Sequence, residues 1–188
     1  MSGTKSCKVA VLATDGFELA ELIEPVKALR AAGATVKVVS PHGGEIQGMN
    51  HHQKGEKIAV DLELSRADPK DFDALVLPGG VVNPDELRTD HHAISFVKDF
   101  ADANKPIAAI CHGPWTLIEA GAVRGKMMTS WPSLQTDLRN AGAIWVDQEV
   151  VIDGQLVTSR KPGDLYAFNH EFLKLLMGIG QASSLRAS

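Results

Sequence analysis

A short apolar run that ends in a cysteine constrains this chain more than any other feature. Ile107-Ala108-Ala109-Ile110 follows Lys105-Pro106 and has the length and flanks of a buried strand. Cys111-His112-Gly113-Pro114 comes next, and the residues after it keep helical spacing until Gly121. Proline suits the first turn of a helix, where a missing N–H costs nothing. The pattern therefore predicts a strand that turns sharply into a helix, with Cys111 at the turn.

A cysteine at such a turn is a candidate nucleophile. The turn lifts the sulfur out of the sheet and places it beside the free N–H groups of a helix start, which favour thiolate over thiol. Free cysteine is also among the most buried residue types and often serves only as a small apolar side chain. The strand–turn–helix context favours a reactive thiol at Cys111. His112, directly after it, is a candidate base or hydrogen-bond partner.

The composition is that of a soluble globular protein. Its 188 residues suffice for one core, so we expect a single domain over residues 1–188 with its core at about 7–178. A net charge of −4 argues against nucleic acid or an anionic membrane as the main partner. Residues 1–6 hold no apolar run of signal-peptide length, and no run is long enough to span a membrane. Cys7 and Cys111 make no disulfide framework, so we expect a cytoplasmic protein.

The rest of the pattern predicts alternating strands and helices. Strands at 7–13 and 35–40 enclose an amphipathic helix, and this βαβ unit favours a parallel sheet. We also expect a core strand at 73–77, helices at 91–104, 133–140 and 165–177, a strand at 127–130, and hairpins at 41–57 and around Asp153-Gly154. No zinc spacing and no phosphate-loop or dinucleotide pattern occurs, so we expect no metal and no cofactor.

Three segments with functional residues follow predicted strands. Glu18 comes after the first strand, Gly79-Gly80 after the strand at 73–77, and Cys111-His112 after the strand at 107–110. In an open α/β sheet, ligands bind beyond the carboxyl ends of the strands, where the strand order reverses. We therefore expect these residues to meet in one site.

The stretch Ala109-Ile110-Cys111-His112-Gly113-Pro114 resembles the nucleophile elbow of the PfpI intracellular-protease family, within the ThiJ/PfpI superfamily. The resemblance extends from about Lys8 to about Leu176. It implies an α/β fold, a flavodoxin-like three-layer α/β/α sandwich with a mostly parallel central sheet, which the superfamily shares with the class I glutamine amidotransferases. It also implies a cofactor-free stress-response enzyme with a cysteine nucleophile, acting on a small carbonyl compound or a peptide.

The same resemblance implies roles for further residues. Glu18 has the offset of the family's acid that approaches the sulfur, where a protonated carboxyl would donate a hydrogen bond to the thiolate. The N–H groups of Gly80 and His112 would form an oxyanion hole. In the PfpI subgroup, an acid after the Gly-Gly turn orients the histidine from a neighbouring subunit. Asp85 matches it, although the spacing is one residue longer and leaves Glu86 as an alternative. The resemblance thus implies a homo-oligomer, a dimer or hexamer, with Asp85 acting in trans.

Two tryptophans are candidates for the substrate pocket. Trp131-Pro132 stands where the family often has Tyr-Pro, so a single N–H donor and a larger flat face replace a hydroxyl. A wall of this kind fits small aldehydes better than extended peptides. Trp115, just after the elbow, is either a second wall or a core residue.

Three function classes remain open on the sequence. The first is a cysteine enzyme: an intracellular peptidase or amidase, or a glyoxalase III or deglycase that converts α-oxoaldehydes and glycation adducts. The second is a non-enzymatic redox-sensing or chaperone-like stress protein that uses oxidation of Cys111. The third is a glutamine amidotransferase, which we rank last. Those enzymes draw histidine and glutamate from a distant C-terminal segment, and the stretch 168–171 has both at the wrong spacing.

Overall fold

Buried strands and amphipathic helices alternate along the chain. The computed structural model describes residues 7–186, with side chains as far as residue 178; residues 1–6, where no signal peptide was predicted, lie outside the described residues. The strands are β1 Lys8–Leu12, β2 Phe17–Glu18, β3 Thr35–Ser40, β4 Glu45–Asn50, β5 Gln53–Ala59, β6 Leu62–Glu63, β7 Ala74–Leu77, β8 Ile107–Ile110, β9 Met127–Met128, β10 Ile144–Trp145, β11 Val150–Asp153 and β12 Leu156–Ser159. The helices are α1 Leu19–Ala31, α2 Val82–Leu87, α3 His91–Asp102, α4 Pro114–Glu119, α5 Gln135–Asn140 and α6 Leu165–Arg186.

Seven of these strands form the central sheet, in the order β11-β12-β8-β7-β1-β3-β6. Neighbouring strands are parallel except β11 and β12, which form the predicted hairpin at one edge. β2, β4 and β5 make a small separate sheet, and β9 pairs with β10. The mostly parallel sheet that the sequence predicted is therefore confirmed.

Helices cover both faces of the sheet, because its inner strands are buried on both sides. α1 and α6 pack on one face, where Leu22, Phe168 and Phe172 are buried. α3, α4 and α5 pack on the other, around Phe100 and Leu117. This is the predicted three-layer α/β/α sandwich. None of the described helices is both long and apolar enough to cross a membrane.

The strand order reverses beside β1. The chain leaves β1 for β3 on one side, and later returns to β7 on the other side, from which β8 and β12 continue. The loop after β1, the turn after β7 and the elbow after β8 therefore leave the same edge of the sheet as neighbours. A crevice at such a reversal is where ligands bind in open α/β sheets.

Several elements differ from the sequence prediction. Helix α2 was not predicted, because Pro84 and the acids beside it indicated only a helix start; proline is tolerated there since it lies in the first turn. The strand predicted at 127–130 ends at Met128, and a 3₁₀ turn at Pro132–Leu134 precedes α5. The last helix continues to Arg186, beyond the predicted end at 177.

Candidate active site

The predicted nucleophile elbow is present at the end of β8. Cys111 has φ +61°, a left-handed conformation that is strained for a residue with a side chain. Its backbone is held from two sides, because its N–H donates to the Ser159 carbonyl at 3.0 Å and its carbonyl accepts from the Trp131 N–H at 2.9 Å. These bonds keep the strained turn in place. Cys111 is 6% exposed, so only a small part of this residue is accessible from solvent.

The His112 ring lies beside the sulfur of Cys111. Its Nδ1 is 3.2 Å from the Cys111 sulfur, and its Nε2 is 3.4 Å from the Ser133 hydroxyl oxygen. Burial lowers the pKa of His112 to about 4, so the imidazole is neutral at neutral pH. In the tautomer that carries its proton on Nε2, the Nδ1 atom is free to accept the thiol proton.

A buried carboxyl group contacts the sulfur, but it belongs to Glu21 and not to Glu18 as predicted. Glu21 is fully buried; it makes a side-chain hydrogen bond with Cys111, and its Oε2 accepts from the Gly79 N–H at 2.9 Å. Glu18 instead accepts from the backbone N–H of His51 at 3.0 Å. The reason is the helix start: Glu18 ends β2, whereas Glu21 lies in the first turn of α1 on its buried face.

Burial has the largest effect on the protonation states of Glu21 and Cys111. It raises the pKa of Glu21 to about 8, against the lowering effect of the Gly79 N–H, so Glu21 is protonated at neutral pH. Burial is also the largest cause that raises the pKa of the Cys111 thiol, followed by the charge of Glu21. The backbone N–H groups of His112 and Gly80 lower that pKa but are outweighed. The net direction is upward, so these surroundings favour the thiol form, whereas the helix start alone favours the thiolate.

The Gly-Gly turn after β7 brings a backbone donor to the sulfur. The N–H groups of Gly80 and His112 both bond to Cys111. Gly80 has φ +78°, which favours glycine. A Cβ atom on Gly79 would lie 2.6 Å from the Cys111 Cβ and 2.6 Å from Glu21 Oε2, so the turn packs closely enough to exclude any side chain there.

Both predicted pocket tryptophans contact the His112 ring. Trp131 stacks on it with 5.9 Å between ring centroids and is 39% exposed, so it stands at the mouth of the site. Trp115 meets the same ring edge-on at 5.2 Å. Its Nε1 donates to Asp137 at 2.9 Å, and the Arg88 guanidinium lies 5.3 Å from its ring centre. Trp115 is thus held firmly behind the histidine, and Trp131 forms the outer wall.

The two acids proposed to orient His112 do not reach it within one chain. Asp85 and Glu86 lie exposed on α2, and among the described residues neither carboxylate makes a hydrogen bond or ion pair. His170 and Glu171, the residue types an amidotransferase would need, bond to each other on α6 at 3.0 Å. In the described part of the chain, no three His, Cys, Asp or Glu side chains come together as metal ligands.

Sequence reasoning missed Glu21 and Ser133. A signal for Glu21 was present, since a carboxyl next to the apolar stripe of α1, four residues before Pro25, is out of place unless something inside the protein uses it. Ser133 carries no comparable signal, because its contact with His112 depends on how the loop after β9 folds back over the elbow.

Comparison with known proteins gives a consistent result. The model of the DJ-1/PfpI family matches residues 7–175. The chain is 46% identical over 169 residues to a deglycase of Thermococcus kodakarensis, covering 90% of this chain and 99% of that protein. It is 46% identical over 172 residues to a candidate cysteine protease of Bacillus subtilis, covering 91% and 99%. The crystal structure of Drosophila melanogaster DJ-1beta is similar with a TM-score of 0.83 and 31% identity, covering 92% of this chain and 91% of that one.

Proposed function

The chain belongs to the DJ-1/PfpI family, and on that premise we propose that it is a cysteine enzyme acting on small α-oxoaldehydes and the early adducts they form with amines. The observation that carries the proposal is the neutral His112 imidazole, with Nδ1 3.2 Å from a buried thiol. This pair supplies a nucleophile and its base without a permanent thiolate. The deglycase of Thermococcus kodakarensis supports the substrate class.

The reaction begins with addition of the sulfur to the aldehyde carbon. His112 Nδ1 takes the thiol proton as the carbon–sulfur bond forms, and the carbonyl oxygen gains negative charge. The N–H groups of Gly80 and His112 then stabilise that charge, because both point at the space around the sulfur. The imidazolium returns its proton to the oxygen, which gives a hemithioacetal and a neutral histidine.

The neutral histidine then permits an internal rearrangement. It removes the proton from the carbon that carries the sulfur and returns it to the adjacent carbonyl carbon. The hydroxyl proton of the hemithioacetal passes to the former carbonyl oxygen, so the product is a hydroxyl group beside a thioester. Water attacks this thioester, the hydroxyacid leaves, and the proton returns to the sulfur. The sum is addition of one water to the aldehyde, so no oxidant or reductant is needed.

Protonated Glu21 has a separate role. While the sulfur is a thiol, its hydrogen bond with Glu21 raises the pKa of Cys111 and lowers that of Glu21, so the S–H group donates it. Once the sulfur carries negative charge, as its proton leaves and again when the thioester breaks, the protonated carboxyl donates to it instead. Its other contact, to the Gly79 N–H, holds the carboxyl in place. A charged carboxylate at this position would oppose the thiolate, so the activity depends on its proton.

The walls of the site favour a small substrate. Trp131 stacks over His112 and Cys111 is 6% exposed, which leaves little room for an extended chain. Peptide or amide hydrolysis would use the same first step, with the amine leaving in place of the rearrangement, and the Bacillus subtilis relative keeps it as a second candidate. Redox sensing is disfavoured, because the thiolate is the form that oxidises and burial raises the pKa of Cys111.

Steady-state loss of methylglyoxal, with appearance of lactate, tests the proposal. We expect many turnovers per subunit from the wild type and none from Cys111→Ala. Cys7→Ala is the matched control, because Cys7 is the other free cysteine and lies outside the site. The Cys7→Ala variant should convert methylglyoxal at the rate of the wild type. Loss of one equivalent of aldehyde that then stops would mean that the thiol is merely trapped, and the enzyme proposal would fail.

A further inference from the structure

We propose that Asn83 is a positioning residue that locks the Gly79–Gly80 peptide and so aims the Gly80 N–H group at the Cys111 sulfur. The inference rests on the proposed function, in which that N–H group stabilises the oxyanion. Asn83 belongs to α2, the helix that sequence reasoning missed, and is 1% exposed. It does not touch the sulfur or the substrate space; it acts through the backbone of the turn.

Every hydrogen-bonding atom of the Asn83 side chain is used at this turn. Its Nδ2 donates to the Pro78 carbonyl at 3.0 Å and to the Gly79 carbonyl at 3.0 Å. Its Oδ1 accepts from the Thr14 N–H at 2.8 Å, which ties the turn to the loop after β1. A buried amide with both hydrogens and its oxygen paired is fixed in one orientation.

The planarity of the peptide bond converts this contact into an orientation of the donor. In a trans peptide the C=O and the following N–H point in opposite directions. Holding the Gly79 oxygen on the Asn83 side therefore turns the Gly80 N–H toward the opposite side, where it bonds to Cys111. The Glu18 N–H also reaches the Gly79 oxygen, but at 3.4 Å, so Asn83 is the closer donor.

Two glycines in sequence make such a lock necessary. Glycine adopts positive and negative φ about equally well, so a peptide between two glycines can rotate at little cost. The bond from the Gly79 N–H to Glu21 fixes the preceding peptide, so apart from Asn83 only the long bond from the Glu18 N–H restrains this one in the part of the chain that the structure describes. Without the Asn83 amide, the turn would keep its place at the end of β7 while its donor pointed elsewhere.

Two substitutions distinguish the effect of losing the hydrogen-bond donors of Asn83 from the effects of a change in side-chain shape or charge. Asn83→Leu keeps the branched shape, removes all three bonds and adds no charge. Asn83→Asp keeps the acceptor for Thr14 and removes both donors. We expect each to lower kcat by about 10- to 100-fold, less than the 10²–10³ typical of deleting an oxyanion donor, because the Gly80 N–H is misdirected but still present.

The decisive readout does not depend on the substrate. In a Cys7→Ala background, the rate at which iodoacetamide alkylates Cys111 across pH reports the pKa of this one thiol. Since the Gly80 N–H lowers that pKa, both Asn83 variants should alkylate more slowly than the background at the same pH. Val97→Ala is the control: Val97 is fully buried in α3, so its substitution destabilises the fold without touching the turn. It should alkylate at the background rate.

The outcomes decide between a lock and other roles. Slower alkylation in both variants supports the lock, even if the wild type turns over no aldehyde and the proposed function fails. Slower alkylation in Asn83→Asp alone would assign the effect to the added charge and overturn the inference. Background alkylation rates in both, with a loss of melting temperature like that of Val97→Ala, would leave Asn83 a purely structural residue and also overturn it.

Discussion

At the scale of single residues, the proton on Glu21 decides whether a charge lies beside the sulfur of Cys111. Glu21 is fully buried against Cys111 with a pKa of about 8, and His112 is neutral down to a pKa of about 4. At a pH between these two pKa values, the carboxyl of Glu21 can donate a hydrogen bond and the imidazole of His112 can accept a proton. Protonated Glu21 and neutral His112, the two states that the proposed mechanism needs, therefore coexist over the same range of pH.

The pH dependence of kcat should follow these two groups. We expect a plateau that falls below about pH 4, as His112 becomes charged, and above about pH 8, as Glu21 ionises and its charge opposes the thiolate. Glu21→Gln keeps a donor toward the sulfur and cannot ionise, so the fall above pH 8 should disappear. Measuring kcat for both proteins from pH 5 to pH 10 checks the alkaline limb, and extending the series below pH 4 checks the acid limb. An unchanged alkaline limb in Glu21→Gln would assign that limb to another group.

Single residues of the candidate site differ in how well the sequence alone could predict them. Cys111 and His112 could be predicted because a strand, a turn and a helix start follow one another in a short stretch. The acid could not be placed as reliably, since Glu18 and Glu21 lie three residues apart, one directly before α1 and one in its first turn. Only the packed structure shows which of the two carboxyls turns inward. Asn83 was missed for a similar reason, because its proposed role depends on the turn from Pro78 to Asn83, which is closed by side-chain hydrogen bonds.

At the scale of elements, the site is a junction of three strand ends. The loop after β1 leads into α1 with Glu21, β7 ends in the Gly-Gly turn, and β8 ends in the elbow. The order of these strands follows from the βαβ pattern and the reversal at β1, so the sequence could predict the meeting of the segments. It could not predict how closely they approach.

The close packing of these three segments predicts what one added methyl group at Gly79 would do. A Cβ on Gly79 would lie 2.6 Å from both the Cys111 Cβ and Glu21 Oε2, so Gly79→Ala must push the elbow and α1 apart. We expect kcat to fall by roughly 100-fold and the free energy of unfolding by about 1–3 kcal/mol. Gly163→Ala is the control, since a Cβ there would lie 3.9 Å from its nearest neighbour, Lys161. Kinetics and urea unfolding of both variants check the prediction; equal activities would contradict it.

At the scale of the whole molecule, the pKa of Glu21 makes stability depend on pH. Its folded pKa is about 8 against an ordinary 4.5, so the folded state holds a proton that the unfolded state releases. Stability from this group is complete below pH 4.5 and is lost as pH rises toward 8. Glu21→Gln cannot lose it. We expect its unfolding free energy relative to the wild type to rise by about 3 kcal/mol between pH 5 and pH 7. Urea unfolding at both pH values measures it, and a pH-independent difference would show that Glu21 is not shifted.

The whole molecule also raises the question of assembly. Within the described residues no acid contacts His112, and Asp85 is exposed on α2, so we propose that Asp85 completes the site of a neighbouring subunit. Cys111→Ala and Asp85→Asn should each be inactive alone. Mixed after unfolding and refolding as a dimer, they should recover about a quarter of wild-type activity, because half of the dimers then hold one intact site. Glu86→Gln in place of Asp85→Asn is the control and should be active by itself. No recovery on mixing would mean that Asp85 does not act across the subunit boundary, and an active Asp85→Asn would place Asp85 outside the site.

The stacking of Trp131 on His112, with Trp115 at its edge, has a further consequence. Indole fluorescence responds to the charge and polarity of the groups it touches, and two of the three tryptophans in the chain touch the imidazole of His112. The third, Trp145, bonds to Ser130 and provides a nearby reference. The protein thus carries an optical reporter at its own nucleophile. Occupation of Cys111 and protonation of His112 can be followed by emission in unlabelled protein, turnover by turnover.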